Sequence, residues 1–297
     1  VNDNTLEADN GSIHELNNGL KAQLIIKNEI NLKQFGAKGD GITDDTSAIQ
    51  NAINALSANF NYAKAFNNNV IEITSASYII TSTITMPVYI KLKPVGAVLF
   101  LSKVNDGACL RVTSGNTQIL TYNSLISYYD QSYIQGGVVD GSCGTLILQK
   151  LNTSTTQYYD VNNETDSIGL EIGDTTYNAN NIRVSRFVMK NISVHQFTVG
   201  LKINANNTYI TKFENCYIQR NRYNFVFGNE NIDANNSGEN LTFERCVIGL
   251  GYTAFKLHNS CDLHLYGCSC DFHGCLIDIE SYEGSRISFH GGHIEGV

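Results

Sequence analysis

The sequence has no tryptophan, two prolines and two methionines, and charged residues make up only 16% of its 297 positions. What charge there is leans acidic, with 20 Lys and Arg against 28 Asp and Glu and a formal net charge of -8. A shortage of positive charge argues against nucleic acid or an anionic membrane surface as partner. No apolar run approaches the ~20 residues of a membrane-spanning helix, so insertion into a bilayer is not expected. The chain also lacks an initiating Met and a secretory leader, as a piece excised from a longer polypeptide would. What is present is a core's worth of apolar residues, 42% of the chain, with 16 Tyr and 13 Phe. Large all-β architectures often run to this length as one unit.

From about residue 186 a coarse unit recurs: "KNISVHQFTVGLKI", "ENCYIQRNRYNFVF", "ERCVIGLGYTAFKL", "YGCSCDFHGCLIDI" and "HGGHIEGV". Alignment puts Ile192, Cys216, Cys246, Cys268 and Gly292 in one column, and Val194, Ile218, Ile248, Cys270 and Ile294 in another two places on. A second apolar pair follows in each full unit: Leu201 and Ile203, Phe225 and Phe227, Phe255 and Leu257, then Leu276 or Ile277 with Ile279. Each unit holds short alternating runs separated by Asn, Gly and Ser turns, and one unit alone cannot bury its apolar face. Stacked units can, which is the logic of a β-solenoid. The Leu and Asn signature of leucine-rich repeats is missing, and propeller blades need longer units. The expectation is an all-β chain wound as a single-stranded parallel β-helix.

The same columns assign most of the eight cysteines. A chain this long needs no disulfide staples, and Cys216, Cys246, Cys268 and Cys270 fall on inward positions, where a free thiol behaves as a small hydrophobe. Cys and His interleave in "CDLHLYGCSCDFHGC" as they do in some zinc sites. Alternation, however, sends Cys268 and Cys270 inward and Asp271 and His273 outward, so no metal is assigned, nor any other cofactor.

A solenoid's first coil exposes core and strand edge and needs a cap. In "NLKQFGAKGDGITDDTSAIQNAINA", Asp44, Asp45 or Thr46 can cap a helix. Ala48, Ile49, Ala52, Ile53 and Leu56 then form its apolar stripe. The helix is expected over about residues 45–56, joined by "GAKGDG" to a first strand, "INLKQF". Three stretches follow: an extension over 1–30, the cap and first coils over 31–115, and the β-helix body over 116–297. The body stops mid-coil at "GGHIEGV" and is expected to continue in the natural chain.

That entry stretch resembles the entry motif of the pectate-lyase-like, right-handed parallel β-helix superfamily, met in polygalacturonases and in bacteriophage tailspikes and capsule depolymerases. The resemblance implies a right-handed coil with a capping helix. "GGVVDGSCG" is similar to a polygalacturonase strand-and-turn in which Asp140 would shape the turn. The polygalacturonase "NTD", "GHG" and "RIK" motifs are missing, and so is an evident calcium-and-arginine constellation of pectate lyases. Tailspikes keep the entry motif without those signatures. The resemblance therefore implies a phage tailspike or other extracellular depolymerase, a homotrimer, acting on a bacterial surface polysaccharide.

Alternation makes the outer face as legible as the core. Next to the inward column lie His195, Gln219, Gly249, Asp271 and Glu295, and on its other side Ser193, Tyr217, Val247, Ser269 and His293. Coils stack ~4.8 Å apart, which sets Asp271 beside Glu295, with His293, Ser269 and His273 around them. Paired carboxylates are what glycosidic cleavage uses, one as proton donor and one as nucleophile or base. Glu295 is expected to be the donor, shielded by Ile294 and the coil below, with Asp271 as nucleophile or base and His293 assisting. Gly249 would leave room for a sugar ring, and Tyr217, Gln219, His195, Ser269 and His273 would bind substrate. Asp278, Glu280, Glu214 and Glu244 are weaker candidates, and His258, His264 and His290 read as isolated surface residues. The leading expectation is a glycoside hydrolase. A non-catalytic adhesin and a cell-wall polysaccharide lyase or epimerase are the alternatives.

Overall fold

The computed structural model describes residues 29–58, 69–88, 90–113, 144–151, 165–176, 184–185, 187–230, 237–281 and 284–297, with two short strands at 13–15 and 21–23. Among the described residues, eighteen strands form one continuous sheet, each hydrogen-bonded in parallel to the strand one coil away. The fold is a right-handed parallel β-helix with one α-helix at its N-terminal end. Short turns and alternating patterns make the strands, and stacking makes them stable. Met189, Phe213, Phe243 and Leu265 lie in register up one inner wall. Leu201, Phe225, Phe255 and Ile277 lie up another, with Ile203, Phe227, Leu257 and Ile279 beside them. Ile277, not Leu276, thus completes the repeat. Stacked rings fill the interior, with Phe213 and Phe243 4.7 Å apart between centroids and Phe225 and Phe255 packed edge-on around Phe243.

The coil turns on single residues in the left-handed conformation. Asn191, Asn215, Arg245, Gly267 and Gly291 take φ between 53° and 70° immediately before each inward column. Gln196, Arg220, Leu250, Phe272 and Gly296 take φ between 53° and 65° five residues later. Between the two corners sits a narrow four-residue face with two outward side chains per coil. The buried thiols stack behind it. Cys216, Cys246, Cys268 and Cys270 are all free and buried, and Cys246 and Cys268 donate to the carbonyls of Phe213 and Phe243 at 3.4 Å. Burial pushes the Cys270 thiol up to about 12.

At the N-terminal end the helix runs Thr46–Ala58 and buries Ile49, Ala52, Ile53 and Leu56 against the first coils. Each fully buried aliphatic side chain there contributes ~1.5–3 kcal/mol. Of the three candidate caps, Asp44 accepts the Thr46 amide and hydroxyl at 3.0 and 2.6 Å. Asp45, 1% exposed, instead accepts the amides of Lys38 and Gly39 at 2.6 and 3.0 Å, tying the loop to the helix start. Gly39 has φ +65°, and a Cβ there would stand 2.7 Å from the Ala76 Cβ and 3.1 Å from the Tyr78 ring. The glycine lets the loop close over the buried Tyr78.

Four details differ from the sequence reading. "INLKQF" is not one strand: Glu29–Asn31 is extended, and Leu32–Phe35 is a 3-10 turn closed by a reciprocal capping box between Asn31 and Gln34. His273 points inward and is 4% exposed, because Phe272 adopts φ +57° and the corner resets the alternation. Ile294 is 50% exposed, and among the described residues the strand Arg286–Glu295 pairs on one side only, with Asp262–Ile279. His258, His264 and His290 are not isolated: His258 bonds Glu280 at 2.7 Å, and the His290 ring stacks on Tyr266 at 4.4 Å and 9°. Asp140 and its turn lie outside the described residues.

Candidate functional site

Parallel pairing builds the site from three coils. Val247–Leu257 pairs with Asp262–Ile279 through Val247 and Ser269, Ile248 and Cys270, and Gly249 and Asp271. The next step pairs Ser269 with His293, Cys270 with Ile294, and Asp271 with Glu295. The acids stand side by side in the register read from the sequence. One carboxylate oxygen of each and a His293 nitrogen all lie within 4.8 Å of one another. His293 Nε2 is 3.1 Å from Glu295 Oε2, and Ser269 Oγ donates to Asp271 Oδ2 at 2.5 Å. Burial is the reverse of the expectation. Glu295 has 56% of its side chain exposed, whereas Asp271 Oδ1 is buried without a hydrogen-bond partner. The first follows from the one-sided pairing of Arg286–Glu295 among the described residues, and the coil Arg286–Glu295 covering Asp271 explains the second.

The other predicted residues divide. Tyr217 is 49% exposed, three coil steps from His293 through Val247 and Ser269. His195, Gln219 and Gly249 continue the acid column downward. Gly249 is not an open gap, because a Cβ there would meet the Asp271 carbonyl at 3.2 Å and Gln219 Nε2 at 3.6 Å. His195 is half-buried with Nδ1 unpartnered, and burial with the Arg220 charge lowers its pKa to about 4, so it is neutral at pH 7. His273 is withdrawn from the face, its Nε2 3.0 Å from Asn224 Nδ2.

Two further constellations escaped the sequence reading. On another face, a groove of about 480 Å³ is walled by Ile168, Val199, Tyr223, Val226, Lys202 and Lys256. At its rim Glu230, His258 and Glu280 bring ligand atoms within 4.8 Å. The Lys256 ammonium already fills that cluster, 3.0 Å from Glu280 and 4.0 Å from Glu230, and its hydrogen bond holds the Glu280 carboxyl below its usual range. At the corner where the narrow face begins, Arg245 bridges Glu214 and Glu244 of the adjoining wall at 2.8 and 3.1 Å. The Glu214–Glu244 stack was visible in the repeat, but its cations, Lys190, Lys212 and Arg245, come from three different coils.

Residues 29–279 match the family of rhamnogalacturonase A/epimerase, pectate lyase-like proteins. The chain belongs to that family. Solved structures of similar fold include ORF18 of Geobacillus virus E2, 19% identical with a TM-score of 0.54, over 89% of this chain and 49% of that one. The enzymatically active domain of tailspike protein 4 from bacteriophage CBA120 is 16% identical, with a TM-score of 0.60 over 99% and 40%. The gp42 tailspike of Acinetobacter phage vb_AbaP_AS12 is 12% identical, with a TM-score of 0.58 over 98% and 49%. This pectate lyase-like chain therefore spans less than half the length of those proteins. Among its described residues, no helix is long and apolar enough to cross a membrane.

Proposed function

We propose that this pectate lyase-like chain binds and cleaves a bacterial surface polysaccharide, a capsule or O-antigen, as part of a homotrimeric phage tail protein. Asp271 and Glu295 are the reacting pair. The observation that carries the reading is their pairing in register, with both carboxylates and the His293 imidazole within 4.8 Å. Retaining glycosidases hold their carboxyls ~5–5.5 Å apart and inverting ones ~6.5–9.5 Å, so retention is the outcome this spacing favours. Asp271, fixed by the Ser269 hydroxyl, attacks the anomeric carbon as the glycosidic C–O bond breaks. Glu295, oriented by His293, passes its proton to the departing oxygen. Water then adds to the glycosyl ester, giving its proton back to Glu295 and releasing Asp271. Ser269, Tyr217, Gln219 and His195 are the substrate contacts along the face, whereas buried His273 supports the strand behind it.

The test is a panel of capsules and O-antigens assayed for reducing-end release with wild type, Asp271→Asn and Glu295→Gln. Each amide should lower cleavage about a hundred- to ten-thousand-fold while binding persists. Fully active amides would leave the pair as ordinary surface acids. Absorbance from an unsaturated uronate would identify a lyase instead, and binding without cleavage by wild type would identify an adhesin. Light scattering on the full-length polypeptide checks the trimer, which a monodisperse monomer would refute.

A further inference from the structure

We infer that the narrow face carries a second saccharide subsite, centred on Arg245 and Tyr217, which reads a negatively charged substituent on the same glycan that the acid pair holds. It rests on the reading of this face as a polysaccharide site.

A pocket of about 300 Å³ opens between Thr145, Asn191, Ser193, Asn215, Tyr217 and Arg245. It is not elsewhere on the molecule: Ser193 and Tyr217 belong to the column that continues through Val247 and Ser269 to His293. Tyr217 lies two coil steps of ~4.8 Å from Asp271 and three from Glu295, about 10 and 14 Å along the helix axis, and Arg245 is one coil step nearer to both. A chain of several sugars laid along that axis meets both.

Above Arg245 this corner is bare. Asn191, Asn215, Arg245, Gly267 and Gly291 occupy the same left-handed corner, with the amides of Asn191, Asn215 and Arg245 each bonded to the coil above. Asn and Arg adopt the same conformation in the lower coils at a steric cost that glycine avoids. A Cβ built on Gly267 or Gly291 meets nothing within 4 Å. Glycine at 267 and 291 leaves that corner without a side chain in the two coils that carry Asp271 and Glu295.

Of the residues that line the pocket Arg245 alone is charged, and it joins a charge cluster on the adjoining wall. Lys190, Lys212 and Arg245 face Glu214 and Glu244, three cations against two anions, a local +1 on a chain of net charge -8. The Arg245 ion pairs engage Nη2 alone, and its side chain is 58% exposed. A planar guanidinium with further N–H donors is suited to a two-pronged grip on an anionic group. Tyr217 offers a half-exposed ring for the apolar face of the sugar beside it.

The experiment uses the polysaccharide that the panel identifies. Arg245→Gln and Tyr217→Ala should each raise KM about tenfold with kcat nearly unchanged. Raising NaCl from 0.05 to about 0.5 M should raise the wild-type KM and leave that of Arg245→Gln almost flat, because salt screens an exposed charge contact. Gly267→Asn should lower kcat/KM at least about tenfold with only a small fall in melting temperature, since Asn takes this corner in two coils at less cost than other side chains. Wild-type kinetics in all three variants, with Asp271→Asn inactive, would overturn the subsite and leave the acid pair standing. Loss of binding in Arg245→Gln with fully active Asp271→Asn and Glu295→Gln would retain the subsite and sink the acid pair. A panel in which nothing binds overturns both.

Discussion

Lowering the pH from 7.5 to 5 should weaken the fold through His273, a residue that belongs to no catalytic step. Its ring is 4% exposed and packs beside Asn224. Asn224 Nδ2 donates to the Gly249 carbonyl at 3.0 Å and faces His273 Nε2 at 3.0 Å. An amide nitrogen only donates, so Nε2 must be the acceptor and the ring proton sits on Nδ1, which is buried without a partner. Protonating Nε2 would set two donors against each other in a dry site. Burial accordingly lowers the pKa from 6.5 to about 4, although the Asp271 charge pulls the other way. The unfolded chain takes its proton near 6.5 and the folded chain near 4, so between those values the unfolded state binds more protons and stability falls with pH. The integrated loss is about 2 kcal/mol by pH 5, with almost none at pH 7.5. The assay is urea unfolding at both pH values for wild type and His273→Gln, whose side-chain carbonyl still accepts from Asn224. His195, also depressed to about 4, and the carboxylates are common to both proteins and cancel in the comparison. The variant should lose about 2 kcal/mol less than wild type over this range. Equal losses would show that His273 is hydrated or already charged, and would refute the reasoning.

Phe243→Ala should cost about 3–5 kcal/mol in the same unfolding assay, because the ring is fully buried among Phe213, Phe225 and Phe255 and leaves a cavity that stacked coils cannot close. Gly39→Ala should cost about 2–3 kcal/mol, combining a left-handed φ with a Cβ pressed against Ala76 and Tyr78, and should lower the melting temperature without altering glycan binding.

Much of the fold was legible because a β-helix converts sequence spacing into spatial register. Spacings of 24, 30, 22 and 24 residues between column members became coil-to-coil partners, and the offset of one residue that places Asp271 beside Glu295 survived intact. Burial on either side of the pair was not legible from those spacings. Alternation predicts in and out only along an extended strand, and this chain interrupts its strands with a left-handed residue at each corner. One such residue, Phe272, turned His273 inward. A signal for it was present: counting back by the repeat, His273 falls in the column of Phe197 and Asn221, and an apolar residue in that column marks an inward position. Both are fully buried. The cation cluster around Glu214 and the groove at Tyr223 were less accessible for a different reason. Each is assembled from three or more coils, and long charged side chains reach across coils in ways that a column alignment does not encode. The corner column was legible in part: positive φ favours both the Asn at positions 191 and 215 and the glycines at 267 and 291, so residue type marked the turn, whereas Arg245 in the same conformation gave no such signal.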